Sequence, residues 1–131
     1  MDETIYILDT CIFVKEGFFF DTEKIYVSPY SVIEEVKSPD AQIRLNYIEK
    51  QKGIEFVQPK KEFIEKAKQL ELKLKSKKGK LSATDLDVIA IALFFANNNK
   101  KVCVITDDTL IQKVCKKNKL GYDSFFLLRT I

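Results

Sequence analysis

The chain contains no histidine and no tryptophan. Without imidazole, a Ser-His-Asp triad, a histidine general base and a His-ligated zinc site are all excluded within it. The three cysteines, Cys11, Cys103 and Cys115, are widely spaced, odd in number and form no CxxC pair, which argues against a zinc ribbon or a disulfide framework. Long hydrophobic runs are missing too. The longest uncharged apolar stretch, residues 88–96, is too short to span a bilayer. The chain enters an apolar strand almost at once, without the basic segment and apolar stretch of a secretory leader. A soluble cytoplasmic protein with no membrane partner is therefore expected. Net charge is only +3, so nucleic acid is not announced by total charge and would have to be read from its distribution.

What is present reads as one globular unit. At 131 residues, with 46% hydrophobic and 31% charged side chains, residues 1–131 form a single domain able to bury a core without disulfides. Lysine, glutamate and isoleucine are abundant and methionine occurs once, a bias seen in thermophile proteins and equally in AT-rich coding.

Apolar periodicity predicts strands over residues 5–8, 25–27, 54–57, 102–105 and 122–127. Between them it predicts short helices over 10–15, 28–37 and 38–50. Ser28-Pro29 and Ser38-Pro39 serve as start signals for the last two. From Lys60, the stripe Phe63, Ala67, Leu70 and Leu74 predicts a longer helix. Ser82 and Thr84 offer caps for an apolar helix to about Asn98, and residues 107–118 form a last one with Leu110, Ile111, Val114 and Cys115 on one face. Continuous apolar strands alternating with helices indicate an α/β fold, a three-layer α/β/α sandwich around a mainly parallel central sheet. The aromatic loop Phe18-Phe19-Phe20 reads either as packing or as a wall beside a substrate, and Cys103 as a small core residue.

The placement of the acids carries the chemistry. Asp9 closes the first strand, Asp107 and Asp108 close the run 102–105, Asp85 opens the apolar helix, and Glu34-Glu35 sit on the helix after Ser28. In parallel α/β sheets the carboxyl ends of strands line the ligand crevice. On that helix Val32, Ile33 and Val36 define the apolar arc; Glu34 falls roughly 150° from its centre and Glu35 roughly 105°, so Glu35 is the inward candidate. The same count puts Asp87 about 200° from Asp85, which leaves Asp87 a second-rank candidate. Any one aspartate at a helix start is also an ordinary cap. Several carboxylates converging on one crevice repel one another unless cations neutralise them, and an all-oxygen set selects a hard ion, Mg²⁺ or Mn²⁺. Such ions activate water for phosphodiester hydrolysis, with no protein nucleophile needed. The run with Lys73, Lys75, Lys77, Lys78 and Lys80 is the densest candidate for phosphate contacts, or else a solvated helix end.

Leu8-Asp9-Thr10, Val32-x-x-Glu35-Val36, Asp85 opening an Ala-rich helix and Thr106-x-Asp108 together resemble a PIN-domain ribonuclease over essentially the whole chain. Several stretches are similar to the Nob-type endonucleases of small-subunit rRNA 3′-end maturation. These are the segment from Ser28 to Lys37, Leu81-Ser82-Ala83-Thr84-Asp85-Leu86, and Thr106-Asp107-Asp108 followed by Gln112-Lys113-Val114. The resemblance implies Asp9, Glu35, Asp85 and Asp108 as catalytic metal ligands, with Asp107 able to assist and Thr10 and Thr106 beside them. It implies cleavage of single-stranded RNA, as an rRNA precursor within a ribosomal particle, with a second copy of the chain as a candidate partner. The chain departs from the Nob type in lacking a cysteine-bearing zinc ribbon, which leaves a lone catalytic domain, a shortened chain or another PIN branch open. VapC-type toxin ribonucleases share the acidic set and the length and stand as the alternative. A PIN fold serving as a non-catalytic RNA-binding or scaffold module is the third reading, and the intact acidic set weighs against it.

Overall fold

A computed structural model describes residues 3–14, 21, 23–50, 53–74 and 80–124. Five strands, β1 (Thr4–Leu8), β2 (Ile25–Pro29), β3 (Ile54–Val57), β4 (Lys101–Ile105) and β5 (Gly121–Asp123), form one sheet in the order β3-β2-β1-β4-β5, and every pairing is parallel. The helices are α1 (Cys11–Val14), α2 (Ser31–Glu35), α3 (Pro39–Lys50), α4 (Lys61–Lys73), α5 (Ala83–Asn97) and α6 (Thr109–Lys117). The sheet is mainly parallel as expected, and the order places the chain reversal beside β1, at the centre.

Side-chain alternation along the strands sorts the core into two halves. Ile5, Ile7, Val102 and Val104 pack on one face with Phe63 and Ala67 of α4, residues 88–92 of α5, and Ile111, Val114 and Cys115 of α6. Leu8, Tyr26 and Ile105 pack on the other with Ile12 and Phe13 of α1, Val32 of α2, and Ala41, Leu45 and Ile48 of α3. These are the three layers. Beyond Asp87 the helix α5 is apolar all round, since it lies against the sheet on one side and α4 on the other. No helix among the described residues is long and apolar enough to cross a membrane.

Ser28-Pro29 does not start a helix. Ser28 is a fully buried strand residue whose hydroxyl donates to Leu8 O at 2.8 Å, and Pro29 ends β2 abreast of Val57. Tyr30 supplies the N–H that Pro29 lacks, donating to Val57 O, and α2 begins only at Ser31. The same dipeptide signal ten residues on is a true start: Ser38 Oγ accepts from Ala41 N and α3 begins at Pro39. The last helix begins at Thr109 rather than Asp107, with Asp108 as its cap. Gly121 is required at the start of β5, because a Cβ there would collide with Val102 O. Phe18–Phe20 and the predicted strand beyond Ser124 lie outside the described residues.

A candidate carboxylate metal site

The candidate acids gather at the carboxyl end of the sheet. Leu8 and Ile105 are abreast in register, so the residues that follow them, Asp9 and Thr106, emerge side by side, and Asp9 N still donates to Ile105 O. Asp9 is only 6% exposed. Its Oδ1 accepts from Thr10 N at 2.8 Å and its Oδ2 from Thr106 Oγ1 at 2.7 Å. The same Thr106 hydroxyl accepts from Asp108 N at 3.0 Å, so one buried oxygen joins the end of β1 to the start of α6. Gln112, one turn into α6, donates from Nε2 to Thr106 O at 2.7 Å and holds the turn from behind.

Asp85 and Asp108 are each tied to a helix start. Ser82 and Asp85 form a capping box, with Ser82 N donating to Asp85 Oδ2 at 2.9 Å and Asp85 N to Ser82 Oγ at 3.1 Å. Asp108 Oδ1 accepts from Leu110 N at 2.8 Å. Glu35 closes α2 and turns towards Asp9's neighbour: Thr10 Oγ1 donates to Glu35 Oε2 at 2.9 Å. Glu34 and Glu35 are both exposed, so burial does not separate them; the contact with Thr10 does. Asp87 faces the start of α2 and accepts from Ser31 Oγ at 2.7 Å. Asp107 is half-buried between Thr106 and Asp108.

Electrostatics link these groups. Burial lifts the Asp9 carboxyl to a pKa of about 6, and the charges of Asp85 and Asp108 add to the rise against the two hydrogen bonds that oppose it. The Asp85 carboxyl is raised as well, by burial first and then by Asp108 and Glu35, with the Ser82 bonds opposing. The four acids therefore feel one another, yet among the described residues no three Asp, Glu or Cys side chains stand close enough to hold one ion as placed. The hydrogen bonds explain the spacing: each carboxylate leans on a neighbouring N–H or hydroxyl, which lessens the repulsion between them. The donor set itself suits a hard divalent ion, being all oxygen and mutually repelling.

Of the candidate lysines, Lys73 ends α4 and Lys80 precedes α5, both exposed; Lys75, Lys77 and Lys78 lie outside the described residues. Glu71 accepts from Leu81 N at 2.6 Å and draws the end of α4 to the start of α5. Sequence reasoning missed Ser31 and Gln112, which hold Asp87 and the Thr106 turn. The Ser31–Asp87 pair is too far apart in the chain for any local signal. Cys103 is a half-buried strand residue, and its thiol is pushed up to about 12 by burial and by Asp123, so it is no nucleophile.

Comparison with known proteins agrees with this architecture. A family model described as PIN domain of ribonuclease matches residues 6–94. Ribonuclease VapC3 of Aeropyrum pernix is 31% identical over 94 residues, which cover 72% of this chain and 67% of that protein. Among solved structures, VapBC2 from Rickettsia felis, bound to a DNA fragment from their promoter, matches with a TM-score of 0.61 at 17% identity, covering 92% of this chain and 98% of that one. That last likeness concerns the fold alone. The chain belongs to the PIN-domain family of ribonucleases, and its activity class is that of an endoribonuclease, a phosphodiester hydrolase.

Proposed function

We propose that this PIN-domain chain cuts single-stranded RNA with Mg²⁺ or Mn²⁺ held by Asp9, Glu35, Asp85 and Asp108, Asp107 assisting. The observation that supports this most is the coupling of Asp9 to Asp85 and Asp108, and of Asp85 to Asp108 and Glu35, around the centre of the sheet's carboxyl end. Bound there, a hard cation would supply an activated water and offset charge on the phosphodiester.

The chain's own groups prepare that site. Thr106 and the Thr10 N–H fix both oxygens of Asp9, so its orientation is set before any ligand arrives. Thr10 holds Glu35 towards the same point through its hydroxyl. The capping bonds of Asp85 and Asp108 keep two further carboxylates at the rim, each a short side-chain rotation from release. With a pKa of about 6, Asp9 gives up its proton near neutral pH, so ligand capacity rises through that range. Lys80 beside the start of α5 adds positive charge where a phosphate would approach.

For the physiological setting, the VapC relative favours a toxin ribonuclease of a cytoplasmic toxin–antitoxin pair over rRNA maturation. The Nob-type reading rests on short stretches such as Leu81–Asp85 and gains no support from the named relatives. An antitoxin is then the expected protein partner, ahead of a ribosomal particle. The test is cleavage of a single-stranded RNA oligonucleotide. Cutting should require Mg²⁺ or Mn²⁺ and stop in EDTA, and undiminished cutting in EDTA would overturn the metal reading. Growth arrest on expression, relieved by a neighbouring gene product, supports the toxin setting; absence of arrest by an active enzyme contradicts it.

A further inference from the structure

At the end of the sheet opposite the carboxylates, β4 and β5 are entered through turns built the same way. The chain leaves α5 through Asn98 and Asn99 into β4, and leaves α6 through Asn118 and Lys119 into β5. In each, an asparagine side chain donates back to its helix, Asn98 Nδ2 to Phe94 O at 2.7 Å and Asn118 Nδ2 to Val114 O at 2.8 Å. The next residue takes a positive φ, 62° at Asn99 and 56° at Lys119. The residue after that donates its N–H to a carbonyl five positions back, Lys100 to Phe95 and Leu120 to Cys115. Glycine or asparagine ordinarily occupies such a left-handed position, because a larger side chain crowds the following carbonyl. Asn99 obeys this and Lys119 does not. Strain kept at one of two matching turns directs attention to what that side chain does.

Lys119 has company. Cys103 and Gly121 are abreast in register, so Lys101 at the start of β4 and Lys119 in the turn before β5 belong to the same end of the sheet. Lys100, Lys116 and Lys117 flank them, and all five are exposed. None forms an ion pair with a described residue. One acid, Glu3, shares this end: it is exposed and precedes Thr4, which is opposite Lys101. Lys116 and Lys117, in the last turn of α6, are accounted for by the helix dipole. Lys100, Lys101 and Lys119 lie beyond the helices and are not.

We propose that Lys100, Lys101, Lys116, Lys117 and Lys119 form a second contact surface for the phosphodiester backbone of RNA, holding the part of a long strand that lies outside the cleaved segment. The proposal rests on the ribonuclease reading of the opposite end. A surface dominated by lysines suits a repeating phosphate charge better than a protein partner, whose interfaces are poor in lysine. The two ends are separated by the length of a five-residue strand, roughly 17 Å. A short RNA therefore occupies one end, and a long one reaches both.

The experiment measures RNA binding over a range of salt concentrations in EDTA, with a short oligonucleotide and one several times longer. The five-fold Lys→Gln variant at these positions should bind the long RNA with a flatter dependence of log affinity on log salt, by about 0.7 for each phosphate no longer neutralised. Mn²⁺-dependent cleavage of the short RNA should stay as in the wild type, and the five-fold Lys→Arg variant should keep the wild-type slope. An unchanged slope with long RNA overturns the proposal, as does a loss of short-RNA cleavage or a loss in the arginine variant. Polyglutamate displacing long RNA as well as an RNA of equal charge also overturns it, in favour of an acidic protein. Failure of the wild type to cut the short RNA removes the ribonuclease reading alone, while the salt slope still decides this surface.

Discussion

The two ends of the sheet are made from the same elements and handle charge in opposite ways. At the carboxyl ends of β1 and β4 the strands run out into Asp9 and the Thr106-Asp107-Asp108 turn, α5 carries Asp85 in its first turn, and α6 is capped by Asp108. At the amino ends of β4 and β5 the same two helices finish, and lysines and asparagines lead into the strands. The lysines are exposed and project into water, where like charges a few Å apart repel by about 1 kcal/mol. Asp9 is buried and Asp85 and Asp108 are half-buried, each held by hydrogen bonds to neighbouring groups, and repulsion there is severalfold larger, while Glu35 stands exposed at the rim. One end is thus a charge cluster that a bound cation would relieve; the other needs no relief.

The comparison breaks most visibly if the acids are not one site. Asp9→Asn, Asp85→Asn and Asp108→Asn should each lower kcat on single-stranded RNA by about a hundredfold or more, with Glu35→Gln far more harmful than Glu34→Gln. Equal losses for the two glutamate variants would show that the Thr10 contact does not mark the functional carboxylate. The five lysines at the other end should have no such effect on a short substrate.

Stability gives the next largest effect. In the folded protein Asp9 has a pKa of about 6 against an ordinary 3.8, so the folded state holds this proton more tightly than the unfolded state. The contribution is fully present below about pH 4 and is lost as pH rises through 6. Above that range the ionised carboxylate costs on the order of 3 kcal/mol in the metal-free protein. Denaturant melts should therefore show Asp9→Asn more stable than wild type at pH 8, with the gain vanishing near pH 3.5. A loss at pH 8 would mean that the bonds from Thr10 and Thr106 outweigh the burial.

Much of this was legible because it depends on where short apolar runs stop. Asp9, Asp85 and Asp108 stand at run boundaries, and a parallel sheet carries such boundaries to one end. The helical-phase argument for Glu35 does not carry over, since α2 ends at Glu35, Val36 is already extended and both glutamates are exposed; only the bond from Thr10 distinguishes Glu35. Ser28-Pro29 misled because its local meaning is overridden by burial: the hydroxyl serves Leu8 O, a partner twenty residues away in the chain. The Ser31–Asp87 bond and the Thr106 bridge were illegible for the same reason, as contacts made only once β1, β4 and α5 are assembled. The hydrogen bonds that hold the acids apart also had no sequence signal beyond the caps themselves.

The smallest effects sharpen the contrast between turns. Ser82→Ala removes the hydroxyl that accepts from Asp85 N and should cost about 1 kcal/mol, while the backbone N–H of residue 82 still holds the Asp85 carboxylate. Lys119→Gly relieves the left-handed strain and should stabilise the protein by about 1 kcal/mol. The same change at Asn99 should gain less, since asparagine tolerates that conformation. Thermal melts of the three variants side by side check both signs.

The most direct measurement is Mn²⁺ titration by calorimetry across pH 5 to 8, in wild type and in Asp9→Asn. If the acids form one cation site, wild-type affinity should climb as pH rises through about 6, with proton release on binding, because Asp9 must ionise to serve. Asp9→Asn should bind weakly and without that climb. Affinity that is flat across pH 6, or undiminished in Asp9→Asn, would contradict the account.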